Sequence, residues 1–457
     1  MILNKNLDNL KRDWLEKNIL ILGFAREGRD NLAFLRKIFP EKIIGIGDRS
    51  DFKKLEKESQ QLIKSDERIN LYLGKNYLKN LDKYDIILKT PGIPFHLKEL
   101  KLAKKRGVII VSQTSIFLEN CPGTIIGITG TKGKSTTTSL THNILKEAGL
   151  KTELVGNIGT PVLSFLFKAK EKDIYVYELS SHQLFDIKKS PAIAVFLNVF
   201  PEHLDYYRNF KEYALAKGNI TRFQNKNDYL IFNAKNKIVK EIAKKSKARK
   251  IDLNSLKLEK IIKINDIPLK GEFNLQNVKA ASAVGKILGL NNKSIAKGIR
   301  KFKPLPYRLE FIGQYKEINF YNDALATIPE ATIAALDALG NDVQTIMLGG
   351  FERNIDFSKL AGRIFKSKIK TAILFPTTGP KIWQAIEKKF KKARTKKPPV
   401  SFFVDNMREA VKISYQKTEK NKICLLSTAS SSFSIFKDYR EKGDLFKKYV
   451  KKYGKKS

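Results

Sequence analysis

At 457 residues the chain is too long for one ordinary core, and at about 150 residues per domain it predicts roughly three domains. Hydrophobic residues at 42% and charged residues at 29% give the balance of a soluble globular protein, which excludes a disordered polymer. No apolar run approaches the ~20 residues that span a bilayer, so membrane insertion is not expected. The formal net charge of +41 admits an anionic partner, but lysine is spread over the polar positions of helices along the whole chain, as at Lys98 to Lys105 and Lys388 to Lys397. It is not gathered with stacking aromatics into one strip, and nucleic acid is not the expected partner.

The first segment, 1–112, alternates short apolar strands with helix-like stretches. Asn18 to Leu22, Lys42 to Ile46, Tyr84 to Leu88 and Val108 to Val111 read as strands of a parallel βαβ sheet. After the first strand comes Gly23-Phe24-Ala25-Arg26-Glu27-Gly28, a dinucleotide-type fingerprint with its middle glycine replaced by Ala25, and Asp48 follows the second strand near the point of a ribose contact. Alone, this pattern is explained about as well by a tight strand-to-helix turn.

The second segment, 113–305, carries the strand Thr124 to Ile128 and then Gly127-Ile-Thr-Gly-Thr-Lys-Gly-Lys-Ser-Thr-Thr137 ahead of a helix over Ser135 to Ala148. Gly130 and Gly133 let the backbone curl so that N–H groups face inward, Lys134 can reach β- and γ-phosphates, and Ser135 can ligate Mg²⁺. The strict P-loop pattern would place its first glycine at Ile128, and Gly130 substitutes for it. The strands Asp173 to Tyr177 and Ala192 to Leu197 end in Glu178 and in Asn198 to His203, where open parallel sheets gather their ligands.

The third segment, 306–457, begins after Pro304-Leu305-Pro306 and reads as a second dinucleotide-like α/β unit, with strands Ile318 to Tyr321, Val343 to Leu348, Thr371 to Leu374 and Lys422 to Leu426. Its basic end, Lys447 to Ser457, reads as a fraying solvated tail. Cys121 and Cys424 are far apart and read as unpaired thiols of a reducing compartment, the cytoplasm.

Taken together, the patches Gly127 to Thr137, Gly156-Asn157-Ile158-Gly159, Glu178 to Ser181, Asn198 to Asp205, Lys217, Gly271 to Asn277, Pro306 to Glu310, Asn322-Asp323 and Leu426 to Gly443 resemble, in this order, the Mur ligase family of peptidoglycan precursor synthesis. The resemblance runs over nearly the whole chain. It implies a Rossmann-like first domain that binds a UDP-sugar, a central P-loop domain that binds ATP, and a Rossmann-like third domain that binds an amino acid. The implied reaction converts the carboxylate of UDP-N-acetylmuramoyl-L-alanine into an acyl phosphate, which the amine of glutamate attacks.

By the same resemblance Gly130, Thr131, Lys132, Gly133, Lys134, Ser135, Thr136, Asn274, Asn277, Arg308 and Asp323 contact ATP. Ser135, Glu178, His203 and Lys217 serve up to two Mg²⁺ ions, with Lys217 carbamylated, and Lys134, His203 and Lys217 are the catalytic set. Arg26, Glu27, Asp48, Arg49, Thr90, Asn157 and His203 fall at the UDP-substrate positions. Thr327, Arg353, Ser432, Phe433 and Tyr439 fall at the glutamate positions, and a monomer is the family's usual state. The chain departs from the family where Asp-Ser-Lys-Ala-Thr is common and Asp323-Ala324-Leu325-Ala326-Thr327 stands instead, and where a lysine after Leu-Gly-Gly becomes Arg353. An L-glutamate-adding or folylpolyglutamate-type ligase is the nearest rival, and a basic P-loop ATPase acting on nucleic acid a remote one. A non-catalytic scaffold would have no use for Lys134, Glu178, His203 and Lys217 together.

Overall fold

A computed structural model of the chain describes residues 5–203 and 206–454. It has three sheets. β1 (Ile19–Leu22), β2 (Ile44–Asp48), β3 (Ile69–Leu73), β4 (Ile86–Lys89) and β5 (Ile109–Val111) form a parallel sheet in the order β3-β2-β1-β4-β5. β6 (Thr124–Thr129), β7 (Thr152–Gly156), β8 (Ile174–Glu178), β9 (Ile193–Phe196), β10 (Tyr229–Phe232) and β11 (Arg249–Asp252) form a second parallel sheet, β11-β10-β9-β6-β8-β7. The third contains β12 (Glu310–Tyr315), β13 (Ile318–Asn322), β14 (Val343–Gly349), β15 (Thr371–Phe375), β16 (Val400–Phe403) and β17 (Ile423–Leu426) in the order β12-β13-β17-β14-β15-β16, with only β12 antiparallel. The expected α/β class with mainly parallel sheets is the class observed.

Several strands inside the sheets are buried on both faces, so their sequences are continuous apolar runs such as Ile-Leu-Ile-Leu in β1. β8 and β14 are buried along their whole length.

The chain folds as two compact units. One holds the residues up to Asp266 together with Gln276–Phe302, and the other holds Ile267–Leu275 with the chain from Lys303 onward. In the first unit one apolar cluster runs from Phe34 and Leu35, behind the first sheet, through Phe117 to Tyr175 and Tyr177 of the second sheet. Phe117 meets both tyrosine rings edge-on at centroid distances of 5.2 and 5.9 Å. Large aromatics buried this way contribute about 1.5–3 kcal/mol each, enough to weld the two sheets into one unit. In the second unit two clusters pack on opposite faces of the third sheet, one around Ile346 and Leu348, the other around Met347 and Phe320.

The basic C-terminal stretch is not a tail. Tyr439–Gly454 is a helix, and Phe446 and Val450, one turn apart, are fully buried. Its apolar positions 446, 449, 450 and 453 follow a helical face that the intervening lysine pairs conceal. Residues 455–457 of that stretch lie outside the described residues, as do Leu204 and Asp205 of the patch after β9. Cys121 and Cys424 are both buried and unpaired, and burial pushes their thiols up to about 11 and about 12. Among the described residues no helix is long and apolar enough to cross a membrane.

Candidate active site

β6 lies between β8 and β9, so the loops that follow all three strands meet at one edge of the second sheet. The loop after β6 turns into the helix Lys134–Glu147 through Gly133, whose φ of 88° is left-handed. A side chain there would be doubly penalised. An added Cβ would lie 2.4 Å from Asn277 Oδ1, besides the backbone strain. Asn277 is held in that place because its Oδ1 accepts a hydrogen bond from Thr137 Oγ1 at 3.1 Å. The result is a helix N-terminus entered through a left-handed glycine, whose N–H groups and dipole favour an anion. Gly133→Ala is expected to cost about 1–2 kcal/mol of stability from backbone strain and to raise the KM for ATP about tenfold as the loop relaxes out of its phosphate-cradling shape. Unchanged ATP affinity by titration calorimetry would sink that expectation.

The other loop residues are fixed by named partners. Lys134 Nζ donates to Gly130 O at 2.8 Å and Thr131 O at 3.0 Å, which folds the ammonium back over the loop. Lys132 donates its backbone N–H to Asn198 Oδ1 at 2.8 Å, and its carbonyl accepts from Asn198 Nδ2 at 2.9 Å, so the loop after β9 clamps the loop after β6. Lys132 Nζ pairs with Glu202 at 2.8 Å. Thr131 shares a hydrogen bond of 3.0 Å with the Tyr213 hydroxyl. Thr136 is buried on the first turn of the helix.

Glu178 ends β8 and is 1% exposed. Its Oε1 accepts from Ser135 Oγ at 3.2 Å and from Asn157 Nδ2 at 3.3 Å. Its Oε2 is buried with no hydrogen-bond partner. A buried carboxylate oxygen left unsatisfied beside a P-loop serine fits a hard divalent cation, which takes oxygen ligands. Among the described residues no three His, Cys, Asp or Glu side chains cluster as a complete metal site. Ser135 and Glu178 would therefore supply part of the coordination, and phosphate oxygens and water the rest.

Lys217 lies on the helix Phe210–Arg222 and is only 2% exposed. Its Nζ donates to Gly130 O at 3.0 Å and sits 4.9 Å above the Tyr213 ring, one helical turn earlier. Burial, and next the nearby Lys134 ammonium, hold its amine well below the ordinary lysine range, against the attraction of Glu202 and Glu178. His203 is exposed, adopts a φ of 57° and faces His182 edge-on at 4.9 Å.

In the first sheet the strand order reverses between β1 and β4, and Arg26, Glu27, Asp48, Arg49 and Thr90 follow β1, β2 and β4 there, whereas Asn157 and His203 follow strands of the second sheet. Gly28 approaches Gly23 so closely that a Cβ would lie 2.2 Å from the Gly23 carbonyl oxygen, which accounts for the outer glycines of the fingerprint. Asp48 Oδ2 accepts from the Phe24 N–H at 2.7 Å and Oδ1 from the Ser50 N–H at 2.8 Å, tying the loop after β1 to the loop after β2. Thr90 donates to Leu22 O at 3.1 Å, and Arg49 is exposed. Arg26 donates to the Gly159 carbonyl, reaching the second sheet. Glu27 accepts from Gln183 Nε2 at 3.0 Å, and desolvation pushes its carboxyl up to about 7.

The second unit brings together the loops after β13, β17 and β14, three neighbouring strands. Asp323 accepts from Ser427 Oγ at 2.8 Å and from the Leu309 N–H at 3.1 Å, and burial pushes it up to about 7. Arg308 precedes Leu309, and its charge acts on Asp323. Thr428 Oγ1 donates to Ala326 O at 3.4 Å, next to Thr327. Phe351 and Ser431 bridge the loops after β14 and β17 through a hydrogen bond of 2.8 Å. Ser432 is buried and its Oγ has no hydrogen-bond partner, while Phe433 is 59% exposed. Tyr439 opens the last helix against Tyr307, with centroids 5.7 Å apart. Asn274 also belongs to this unit and donates to Lys270 O at 2.8 Å.

The geometry picks out two residues that the sequence did not single out, and it gives Asn198, named only as part of a patch, a definite task. Tyr213 was legible as the i−4 neighbour of Lys217, and Asn198 as the polar residue that ends a buried strand. Lys442 carried no signal among so many lysines. It is 1% exposed, donates to Thr428 Oγ1 at 2.6 Å, and burial pushes its amine down to about 7.

Residues 128–285 match the Mur ligase middle domain. UDP-N-acetylmuramoylalanine–D-glutamate ligase of Acetivibrio thermocellus is 33% identical over 98% of this chain and 99% of its own length. The enzyme of the same name from Clostridium botulinum is 34% identical over 95% of this chain and 96% of its own. Among solved structures, MurF ligase from Thermotoga maritima in complex with ADP aligns with a TM-score of 0.58 at 17% identity, covering 95% of each chain. UDP-N-acetylmuramate–alanine ligase MurC from the same organism aligns at 0.56 and 16% identity, over 96% of this chain and 99% of that one. These two establish the shared fold. With relatives at one-third identity along almost its entire length, the chain belongs to the Mur ligase family.

Proposed function

We propose that this chain joins D-glutamate to UDP-N-acetylmuramoyl-L-alanine, with ATP converted to ADP and phosphate, in peptidoglycan precursor synthesis. The near-full-length identity to D-glutamate ligases carries this reading. The geometry of the P-loop supplies its chemistry.

The carboxylate oxygen of the muramoyl-alanine attacks the γ-phosphorus of ATP, the bond to ADP breaks, and an acyl phosphate forms. The glutamate amine then bonds to the acyl carbon, phosphate leaves with its electron pair, and the amine proton passes to phosphate or water. Crowded negative charge is the obstacle in the first step. Lys134 offers a cation at the loop, and the N–H groups at the N-terminus of its helix offer fixed dipoles. Ser135 and the unsatisfied oxygen of Glu178 would hold Mg²⁺, which when bound neutralises phosphate charge and polarises the transferred group.

Lys217 enters as a carbamate in this proposal. Only a neutral amine can bond to CO₂, and burial beside Lys134 favours that neutral form. The resulting anion would turn a repulsive group into one that orients a cation, and His203 would serve the second cation and the sugar substrate. Arg26, Asp48, Arg49, Thr90 and Asn157 would surround the UDP-sugar. Glu27 joins them through Gln183, two residues beyond the Ser181 that follows β8. Asn274, Asn277, Arg308 and Asp323 would contact ATP.

Phosphate release with ATP, UDP-N-acetylmuramoyl-L-alanine and either glutamate enantiomer tests the reading. Release is expected only with the sugar nucleotide and D-glutamate together. Dependence on L-glutamate would move the chain to the rival ligase, and stimulation by nucleic acid alone would overturn both.

A further inference from the structure

The helix Gly379–Ala393 and the loop after it carry Lys388, Lys389, Lys391, Lys392, Arg394, Lys396 and Lys397, seven cations in ten residues, all exposed. Among the described residues none of the seven forms an ion pair, although acidic partners engage other surface lysines such as Lys370 and Lys422. Glu387 is the one carboxylate lining the cleft that Phe390, Lys391, Arg394, Lys396 and Lys397 enclose.

This cluster is built rather than loose. Phe390 is buried and stacks edge-on against Phe365 at 5.0 Å. Lys389, from the helix, and Lys396, from the loop, both place their ammonium over the same Phe365 ring, at 5.8 and 5.6 Å. The chain then passes through Pro398-Pro399 into β16, the edge strand of the third sheet, where Phe403, 53% exposed, pairs with Leu374 and so lies on the sheet face that the buried Ile382, Ile386 and Phe390 of the helix cover. An unpaired edge with an exposed aromatic side chain, adjoining a dense basic cap, is a surface awaiting a partner.

We propose that this face of the second unit docks on an anionic phospholipid surface, with Lys388 to Lys397 on the headgroup phosphates and Phe403 at the boundary below them. Six of the seven cations are lysines, point charges suited to a diffuse field of phosphates rather than to the planar fork recognition that arginine provides. The aromatic inside the cluster, Phe390, is buried against the protein, so no exposed ring stands in the cleft for bases to stack on. Basic residues beside exposed apolar ones are the pattern of an interfacial contact. The docking is independent of the ligase reaction and needs no inserted helix.

Sedimentation of the full chain with vesicles of phosphatidylcholine containing 30% phosphatidylglycerol (about one anionic lipid in three, for a negative surface) tests the proposal. Binding is expected to these vesicles and not to pure phosphatidylcholine, and to weaken with salt. Lys391→Glu, Lys392→Glu and Lys397→Glu together should lower the partition coefficient about 100-fold or more, at roughly fivefold per cation. The charge-matched triple Lys237→Glu, Lys240→Glu and Lys245→Glu, exposed lysines on a helix of the first unit and at its C-terminal cap, should change it far less. Phe403→Ser should weaken binding without altering its salt dependence, and phosphate release should be unaffected by any of these variants. Equal losses from the two triples would assign binding to net charge alone and overturn the proposal. So would no binding by the wild type, or tighter binding to single-stranded RNA through the same lysines.

Discussion

Replacing Lys217 by alanine is expected to lower turnover by about 100- to 1000-fold, about 2.7–4 kcal/mol in the barrier, with ATP binding largely retained. The side chain is buried, its nitrogen reaches the Gly130 carbonyl at the root of the phosphate loop, and it shares its surroundings with Lys134 and Glu178. As an ammonium it would add a third positive charge beside Lys132 and Lys134 in a desolvated place, an arrangement burial already disfavours. As the proposed carbamate it would carry an anion to where a cation would be oriented. Bicarbonate or a short carboxylate, small enough to occupy the vacated space, should partly restore the alanine variant. Lys217→Met keeps the side-chain volume and separates chemistry from packing: it should lose as much activity as alanine while melting near the wild type. Unchanged turnover in Lys217→Met would show the carbamate assignment to be wrong. Mass spectrometry under CO₂ at mild pH should add the mass of CO₂ to the wild type and not to that variant.

What could be read in advance follows from how local each feature is. β1, β8 and β14 were visible because both faces are buried and each position must be apolar. β3, β11 and β16 were not visible: half of their residues face solvent, as in Arg249-Lys-Ile-Asp252, and their short patterns match a loop as well as an edge strand. The same contrast governs the site. Gly133, Lys134 and Ser135 are consecutive, so their spacing alone speaks of phosphate. Ser135 meets Glu178 across 43 residues and Lys217 meets Gly130 across 87. Those meetings are products of sheet order, with β8 and β9 flanking β6, and no local pattern encodes them. Lys217 could be singled out only by resemblance, and Lys442, equally buried, not at all. The tail was misread for a related reason: lysine pairs at 447–448 and 451–452 hid the one-turn spacing of Phe446 and Val450.

Arg353→Ala is expected to lower kcat/KM for D-glutamate by about 10- to 150-fold, chiefly through KM, from the loss of a charge-assisted hydrogen bond of about 1.5–3 kcal/mol. The guanidinium is exposed on the loop after β14, and its neighbour Glu352 is already engaged by Lys381 and by the Asn354 N–H, so no adjacent carboxylate neutralises it. That loop is pinned to the loop after β17 by Phe351 and Ser431, and the buried hydroxyls of Ser431 and Ser432 there have no hydrogen-bond partner. A cation beside unsatisfied donors suits a dicarboxylate. Leu325, partly exposed on the loop after β13, brings no charge, so under the proposed function the fork at Arg353 would hold the carboxylate without a cation at 325. Arg353→Lys should therefore be impaired by several-fold, since a point charge cannot grip both carboxylate oxygens. Adding Leu325→Lys to Arg353→Lys should recover part of the loss. If Arg353→Ala leaves the KM for glutamate unchanged, the amino-acid carboxylates are held elsewhere. If instead it reverses the preference between D- and L-glutamate, Arg353 selects the enantiomer as well as the charge.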